Sequence, residues 1–339
     1  MVRPFGDYTL LRRLGQGGMA EVFLARADRA STGPKIVVLK RVLPHVSRNR
    51  LLVELFLNEA RIASRLASPH IARVYDTGRV AGWDYLTMEF VLGVDLARVC
   101  ARCRPSAAAR LGPGAVVRLL ADVCAGLEVA HAAVDDDGSP LGIVHGDVHP
   151  HNVMIDFHGV AKLIDFGVAQ STYAAPDAAP RGTYAYMAPE QLLGASFDRR
   201  ADVFAVAAIA WELFAGRPLF RRSANYLTVR AVVEDAPPPL PSNLGDAAPA
   251  LDGVLARALA KSADDRIASC GDLATELQGV AARFGWDTSP HALAAPFGEL
   301  FAAERTALRD AVTRSGKASF EDWLFDLAPE VDVSWLLPG

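Results

Sequence analysis

Over residues 8–42 the apolar positions fall in short β-like runs, 8–14, 21–27 and 35–42, separated by Gly-rich and Ser-Thr-Gly-Pro turns. Alternation interrupted by turn-forming residues predicts an antiparallel meander. The spacing then changes. Across 49–66, Leu52, Leu55, Phe56, Ile62 and Leu66 recur at helical intervals and predict one amphipathic helix. Two further strand-like runs, 72–77 and 85–90, complete a small β-rich first lobe.

After Gly93 the period becomes helical, with Val116, Leu119, Leu120, Val123, Leu127 and Ala130 on one long apolar face. A short β-rich insertion over 143–167 interrupts this region, a loop runs to about 187, and helices continue to about 283. The apolar run 203–214 is broken by Glu212 and is far shorter than the roughly 20 residues that span a bilayer, so it predicts a buried helix. From 284 onward a separate segment offers a helix over 291–314 and an end rich in Trp and Phe. Its stripe of Leu293, Phe297, Leu300, Phe301, Leu308 and Val312 predicts docking on the helical lobe. The pattern describes an α+β chain with a β-rich lobe over 8–92, a mainly α lobe over 93–283 and a helical extension over 284–339.

Composition narrows the function classes. With 339 residues, 51% of them hydrophobic and 22% charged, the chain is globular, and a net charge of −4 gives no basis for nucleic acid or an anionic membrane as the main partner. The first residues lack the apolar run of a secretory signal, and Cys100, Cys103, Cys124 and Cys270 are too few for a disulfide framework, so a cytoplasmic protein is expected. Cys100 and Cys103 form a lone C-x-x-C, read as thiols on a helix and not as a zinc site. The 30 Arg against 5 Lys point to a GC-rich, bacterial coding sequence and make a lysine inside an apolar strand conspicuous.

That lysine is Lys40, at the end of the run Ile36-Val37-Val38-Leu39. Upstream, Leu14-Gly15-Gln16-Gly17-Gly18-Met19-Ala20-Glu21-Val22 lies between two predicted strands, where glycines allow backbone N–H groups to close over phosphates; alone the motif serves equally for a plain hairpin. Glu59 falls on the apolar face of the 49–66 helix, where a carboxylate needs a cation, and Lys40 is the natural partner. Further on, His145-Gly146-Asp147-Val148-His149-Pro150-His151-Asn152 precedes Asp165-Phe166-Gly167. Asn152 and Asp165 supply hard oxygen ligands suited to Mg²⁺, which leaves Asp147 to accept a hydroxyl proton.

In this order, together with Gly182-Thr183, Ala188-Pro189-Glu190, Asp202 and Arg266, these motifs resemble the bacterial eukaryotic-like (Hanks-type) serine/threonine protein kinases over about 8–283. The resemblance implies a two-lobed protein-kinase-like fold, ATP and Mg²⁺ as cofactors, and protein substrates. It implies that Lys40 holds the α and β phosphates, that Glu59 positions Lys40, that Asp147 is the catalytic base, and that Asn152 and Asp165 hold the metal. Leu14, Gly15, Gly17, Gly18, Val22, Val38 and Met88 would enclose the nucleotide; the backbone of Glu89 and Val91 would bond the purine edge; Asp95 would meet the ribose. Arg266 stands where the family places the partner of Glu190.

Two positions depart from the family. Gly146 replaces the arginine before the catalytic aspartate, the usual receptor for a phosphorylated activation loop. His149 replaces a lysine near the transferred phosphoryl group and fills that cationic role only when protonated. The loop His-Gly-Asp-x-His-Pro-x-Asn also looks like that of aminoglycoside-type phosphotransferases, and a pseudokinase serving as a binding module is a further alternative.

Overall fold

The computed structural model describes residues 3–17, 19–28, 36–103, 105–166 and 183–306, without the side chains of Leu55 and Glu59. Expectations placed on Gly18, on the Glu59 side chain, on Gly167 and Gly182, and on the segment beyond 306 fall outside the described residues.

Strands β1 (Arg3–Phe5), β2 (Tyr8–Gln16), β3 (Ala20–Ala27), β4 (Ile36–Val42), β5 (Val74–Val80) and β6 (Trp83–Glu89) form one antiparallel sheet in the order β1-β2-β3-β4-β6-β5. The sequence pattern foresees all but β1, whose three residues are too few for a period and which exists because Phe5 pairs with Tyr8 across a tight hairpin. One face of the sheet buries Phe5, Leu10, Ala25, Val37, Leu39 and Tyr85. The other buries Ala20, Val42, Leu86 and Met88 against Phe56, Ala60 and Ala63 of helix α1 (Arg50–Arg65). Asn49 starts α1 by accepting the Leu51 N–H, as an N-cap should.

The second lobe opens with a small sheet, β7 (Gly93–Asp95), β8 (Val153–Asp156) and β9 (Ala161–Leu163), in the order β7-β8-β9. Around it stand α2 (Leu96–Arg102), α3 (Ala107–Leu111), α4 (Pro113–His131), α5 (Pro189–Leu192), α6 (Arg200–Ala215), α7 (Asn225–Glu234), α8 (Ala247–Ala258), α9 (Cys270–Arg283) and α10 (Pro290–Leu300). Helix α6 is buried at every position from Ala201 to Phe214, the outcome expected for a helix apolar on all sides. Its two inward acids both have partners: Asp202 meets the loop after β7–α4, and Glu212 accepts the Tyr186 hydroxyl at 2.5 Å. Among the described residues no helix is long and apolar enough to cross a membrane.

Leu293, Phe297 and Phe301 of the extension enter the same core as α3 and α4. Two glycines make the approach possible: a Cβ on Gly114 would lie 2.0 Å from the Asp287 carbonyl oxygen, and one on Gly159 would lie 2.6 Å from Ala294 Cα. Helix α10 ends at Leu300, earlier than the continuous helix expected to 314, because Phe301 leaves helical geometry at φ −114° and turns its ring under the Arg102 guanidinium, 4.5 Å away. Helical turns resume over 302–306.

Candidate active site

The sheet register gathers the expected nucleotide-facing residues on one side. Val22 pairs with Lys40, Lys40 with Leu86 and Val38 with Met88, and residues directly opposite in antiparallel strands project to the same face. Val38 and Lys40 are two apart in β4 and share that face, opposite to the fully buried Val37 and Leu39. Above them Gly15 and Gly17 shape the β2–β3 turn, where the Gly17 N–H donates to the Ala20 carbonyl at 2.9 Å. A Cβ on Gly15 would meet nothing within 4 Å, so the loop roofs an open space. Leu14 is half-buried against the large apolar cluster that runs from Leu11, Leu24 and Ile36 into the helical lobe.

The floor comes from the other lobe. Met154 of β8 clusters with Val91, Ala72 and Ile164, so it lies beside the hinge although no motif marked it; its only signal is its place in the apolar strand after Asn152. Glu89 fastens the hinge: its N–H donates to the Arg73 carbonyl at 2.7 Å, and its carboxylate accepts from Lys162 Nζ at 2.7 Å. Asp95 has a structural role that its sequence context did not show. Its side chain is 0% exposed and caps α2 by accepting the Arg98 N–H at 2.8 Å, a role that local helix chemistry prefers for aspartate.

Beneath the cleft the loop carrying Asp147 is hung from α6. Asp202 accepts the His145 N–H at 2.9 Å and the Gly146 N–H at 2.8 Å, and the His131 ring at 2.8 Å. Gly146 has φ +71°, a region that costs a side-chain-bearing residue and that glycine adopts freely, and its carbonyl accepts from Gln191 Nε2 at 2.8 Å. Buried His145 accepts the Asp147 N–H on Nδ1 at 3.3 Å, so Nε2 bears the proton and faces the Ile164 carbonyl at 3.3 Å. Burial lowers the His145 pKa against the opposing pull of Asp202 and Asp147, keeping this ring neutral where it packs at a tilt on Phe166, 4.6 Å between centroids.

Asp147 itself is 7% exposed. Asn152 donates from Nδ2 to the Asp147 carbonyl at 2.9 Å and to its Oδ2 at 3.3 Å, and His149 Nε2 lies 3.6 Å from the same oxygen. The His149 ring is oriented because its Nδ1 accepts the His151 N–H at 3.3 Å. Across the cleft Lys40 Nζ is 3.2 Å from Asp165 Oδ1, an ion pair that joins the two lobes. The Lys40–Glu59 pair expected from sequence lies outside the described side chains. Asp165 holds φ +53°, unusual for a residue with a side chain, and Phe166 just after it is buried beside Ile62 and Leu66 at the end of the first lobe's helix.

This donor set fits a hard divalent cation. With its NH₂ turned toward Asp147, Asn152 keeps its amide oxygen for another partner, and the Ile164 N–H bonded to the Asn152 carbonyl at 3.0 Å brings Asp165 alongside it.

The model of the protein kinase domain family matches residues 8–270. The chain belongs to the protein kinase family. It is 34% identical over 284 residues to "Tyrosine-protein kinase MasK" of Myxococcus xanthus, covering 82% of this chain and 43% of that protein. It is 36% identical over 278 residues to "Serine/threonine-protein kinase PknD" of Mycobacterium tuberculosis, covering 80% and 39%. The chain thus spans less than half the length of these relatives. Among solved structures, the Mycobacterium tuberculosis PknI kinase domain aligns with a TM-score of 0.64 and 32% identity, over 83% of this chain and 98% of that one. The family uses ATP with Mg²⁺, and the fold is the two-lobed kinase fold that the pattern foresaw.

Within that kinase frame the Glu190–Arg266 pair forms as expected. Arg266 Nη1 and Nη2 reach the two Glu190 oxygens at 2.7 and 3.0 Å, and the guanidinium, 0% exposed, also donates to the Ala260, Lys261 and Arg200 carbonyls. Such dense donor satisfaction is what makes a buried guanidinium tolerable. Sequence reasoning missed Gln191 and His131, which touch the catalytic loop and its anchor. Neither belongs to a motif, and a single glutamine or histidine at a helix end gives no sequence signal.

Proposed function

We propose that this kinase-family chain transfers the γ-phosphate of ATP to serine and threonine side chains of protein substrates in bacterial signalling. The observation that carries the reading is the setting of Asp147: a nearly buried carboxylate at the cleft floor, steered by Asn152 and flanked by His149 Nε2. In that position Asp147 accepts the proton of an incoming hydroxyl, while the Asn152 amide keeps the carboxylate facing the cleft. Lys40 is assigned to the α and β phosphates, with Glu59 positioning it, and Leu14, Gly15, Gly17, Gly18, Val22, Val38 and Met88 are assigned to the nucleotide. The backbone of Glu89 and Val91 is assigned to the purine edge. Asn152 and Asp165 would hold Mg²⁺, which when bound neutralises phosphate charge. His149 donates from Nε2 toward Asp147 and the transferred group, in place of the family's lysine. Four free thiols, Cys100, Cys103, Cys124 and Cys270, support a reducing, cytoplasmic setting.

The test is incubation of the purified protein with ATP and Mg²⁺, scoring modified serine, threonine and tyrosine by mass spectrometry. Asp147→Asn should cut transfer by on the order of 10²- to 10⁴-fold while ATP binding persists. In the same assay His149→Gln should slow transfer by roughly tenfold, the loss of one stabilising donor, and His149→Lys should retain it. ATP binding with no Asp147-dependent transfer would instead make the chain a binding module. Phosphotyrosine alone would instead favour tyrosine as the acceptor, in line with the name of the Myxococcus relative.

A further inference from the structure

Behind the catalytic loop, on the side away from the cleft, α4 carries Glu128 and His131 three residues apart on one helix face, and α9 packs there with Cys270 as its first residue. One ligand atom from each of these three side chains lies within 4.8 Å of the other two. The His131 side chain is 1% exposed. Its Nε2 meets Asp202 Oδ2 at 2.8 Å, and that carboxylate is already the acceptor for two backbone N–H groups, so Nε2 carries the proton. The remaining nitrogen, Nδ1, is therefore a buried lone pair, and among the described residues nothing donates to it. A buried acceptor with no donor is rare and unfavourable. It is also the tautomer a metal ion requires, with the far N–H held by a carboxylate.

We propose that Glu128, His131 and Cys270 form a binding site for one zinc-class divalent ion, coordinated through a carboxylate oxygen, His131 Nδ1 and the Cys270 thiolate. The donor set decides the class: a thiolate with an imidazole excludes Mg²⁺ and Ca²⁺ as natural occupants and suits Zn²⁺. A water would take the fourth position of a tetrahedron. Glu128 is half committed, since its Oε1 accepts the Gly271 N–H at 2.9 Å, which aims the carboxylate and leaves a second oxygen for the ion. On binding, the Cys270 thiol proton leaves to solvent and no redox change is involved.

The site would act through Asp202. A cation on Nδ1 makes the His131 Nε2–H a stronger donor to the carboxylate that suspends His145 and Gly146, so occupancy stiffens the loop that carries Asp147. None of this depends on which hydroxyl the kinase phosphorylates.

The experiment uses the full chain stripped with a chelator and titrated with Zn²⁺ against a chromophoric competitor, and separately with Co²⁺, whose thiolate charge-transfer band reports sulfur ligation. The expected result is one equivalent bound, a Co²⁺–thiolate band and a raised melting midpoint. Cys270→Ser and Glu128→Gln should each weaken binding by on the order of 10- to 100-fold or more, while Cys100→Ser leaves it unchanged. Glu128→Gln keeps the shape of the side chain and the Gly271 bond, so it remains informative if Cys270→Ser folds poorly. The proposal is overturned if no stoichiometric Zn²⁺ binds, if neither cluster substitution weakens it, or if Cys100→Ser abolishes it.

Discussion

Two helices of 16 residues each address the cleft from opposite lobes, and they are built in opposite ways. Helix α1 lays Phe56, Ala60 and Ala63 on the sheet and leaves its other side to solvent, with Leu51 41% exposed. Helix α6 has no solvent side over Ala201–Phe214, and it carries Asp202 and Glu212 inside the core, the first accepting from His131, His145 and Gly146 and the second from the Tyr186 hydroxyl. The first arrangement holds by one apolar stripe and tolerates sliding or tilting. The second is locked, because moving α6 would strand buried polar groups that cost about 1–3 kcal/mol each when unpaired. The loop carrying Asp147 is therefore fixed to the rigid helix. Lys40 and the glycine loop ride on the lobe whose helix is free to adjust, and the Lys40–Asp165 pair is where the two meet.

This contrast can be broken most directly at Asp202. Asp202→Ala removes the acceptor for His131, His145 and Gly146 together, and the expected loss is about 5 kcal/mol of unfolding free energy with collapse of phosphoryl transfer. Chemical denaturation and a rate assay on the soluble fraction check it; a loss under 1 kcal/mol would mean that α6 does not anchor the loop.

Next in size is Phe297→Ala. Phe297 is 0% exposed and packs on Phe157 at 6.2 Å and Phe301 at 4.9 Å, so truncation should cost about 3 kcal/mol by opening a cavity at the helical lobe. If the midpoint of denaturation barely moves, the extension is a passenger and the locked core ends at α9. The smallest effect belongs to α1: Leu51→Ala should stay within about 0.5 kcal/mol, since little apolar area leaves water there. A loss above 2 kcal/mol at Leu51 would show that α1 has a second buried face in solution.

Much of the site was legible before any coordinates. The glycine turn, Lys40, Asp147, Asn152 and Asp165 are chemically conspicuous: a lysine closing an apolar strand, and carboxylates and an amide at fixed spacing on Pro-stiffened or strand-end loops. Val22, Val38 and Met88 came from the resemblance to the kinase family, and the strand register puts them on one face of the sheet. The second role of Asp95, capping α2, was not legible because it depends on where that helix begins. His131 and Gln191 were missed because their importance lies in contacts between segments distant in the chain, to Asp202 and to Gly146.

By itself the sequence determined the lobes, the kinase family and the order of the reactive groups, since hydrophobic period and motif spacing are local properties of the chain. Tertiary structure alone decided which helix holds the loop, which aspartate became a cap, and that Glu128, His131 and Cys270 converge. Those outcomes depend on helix packing, and the distance between α4 and α9 in space is written nowhere along their separation in sequence.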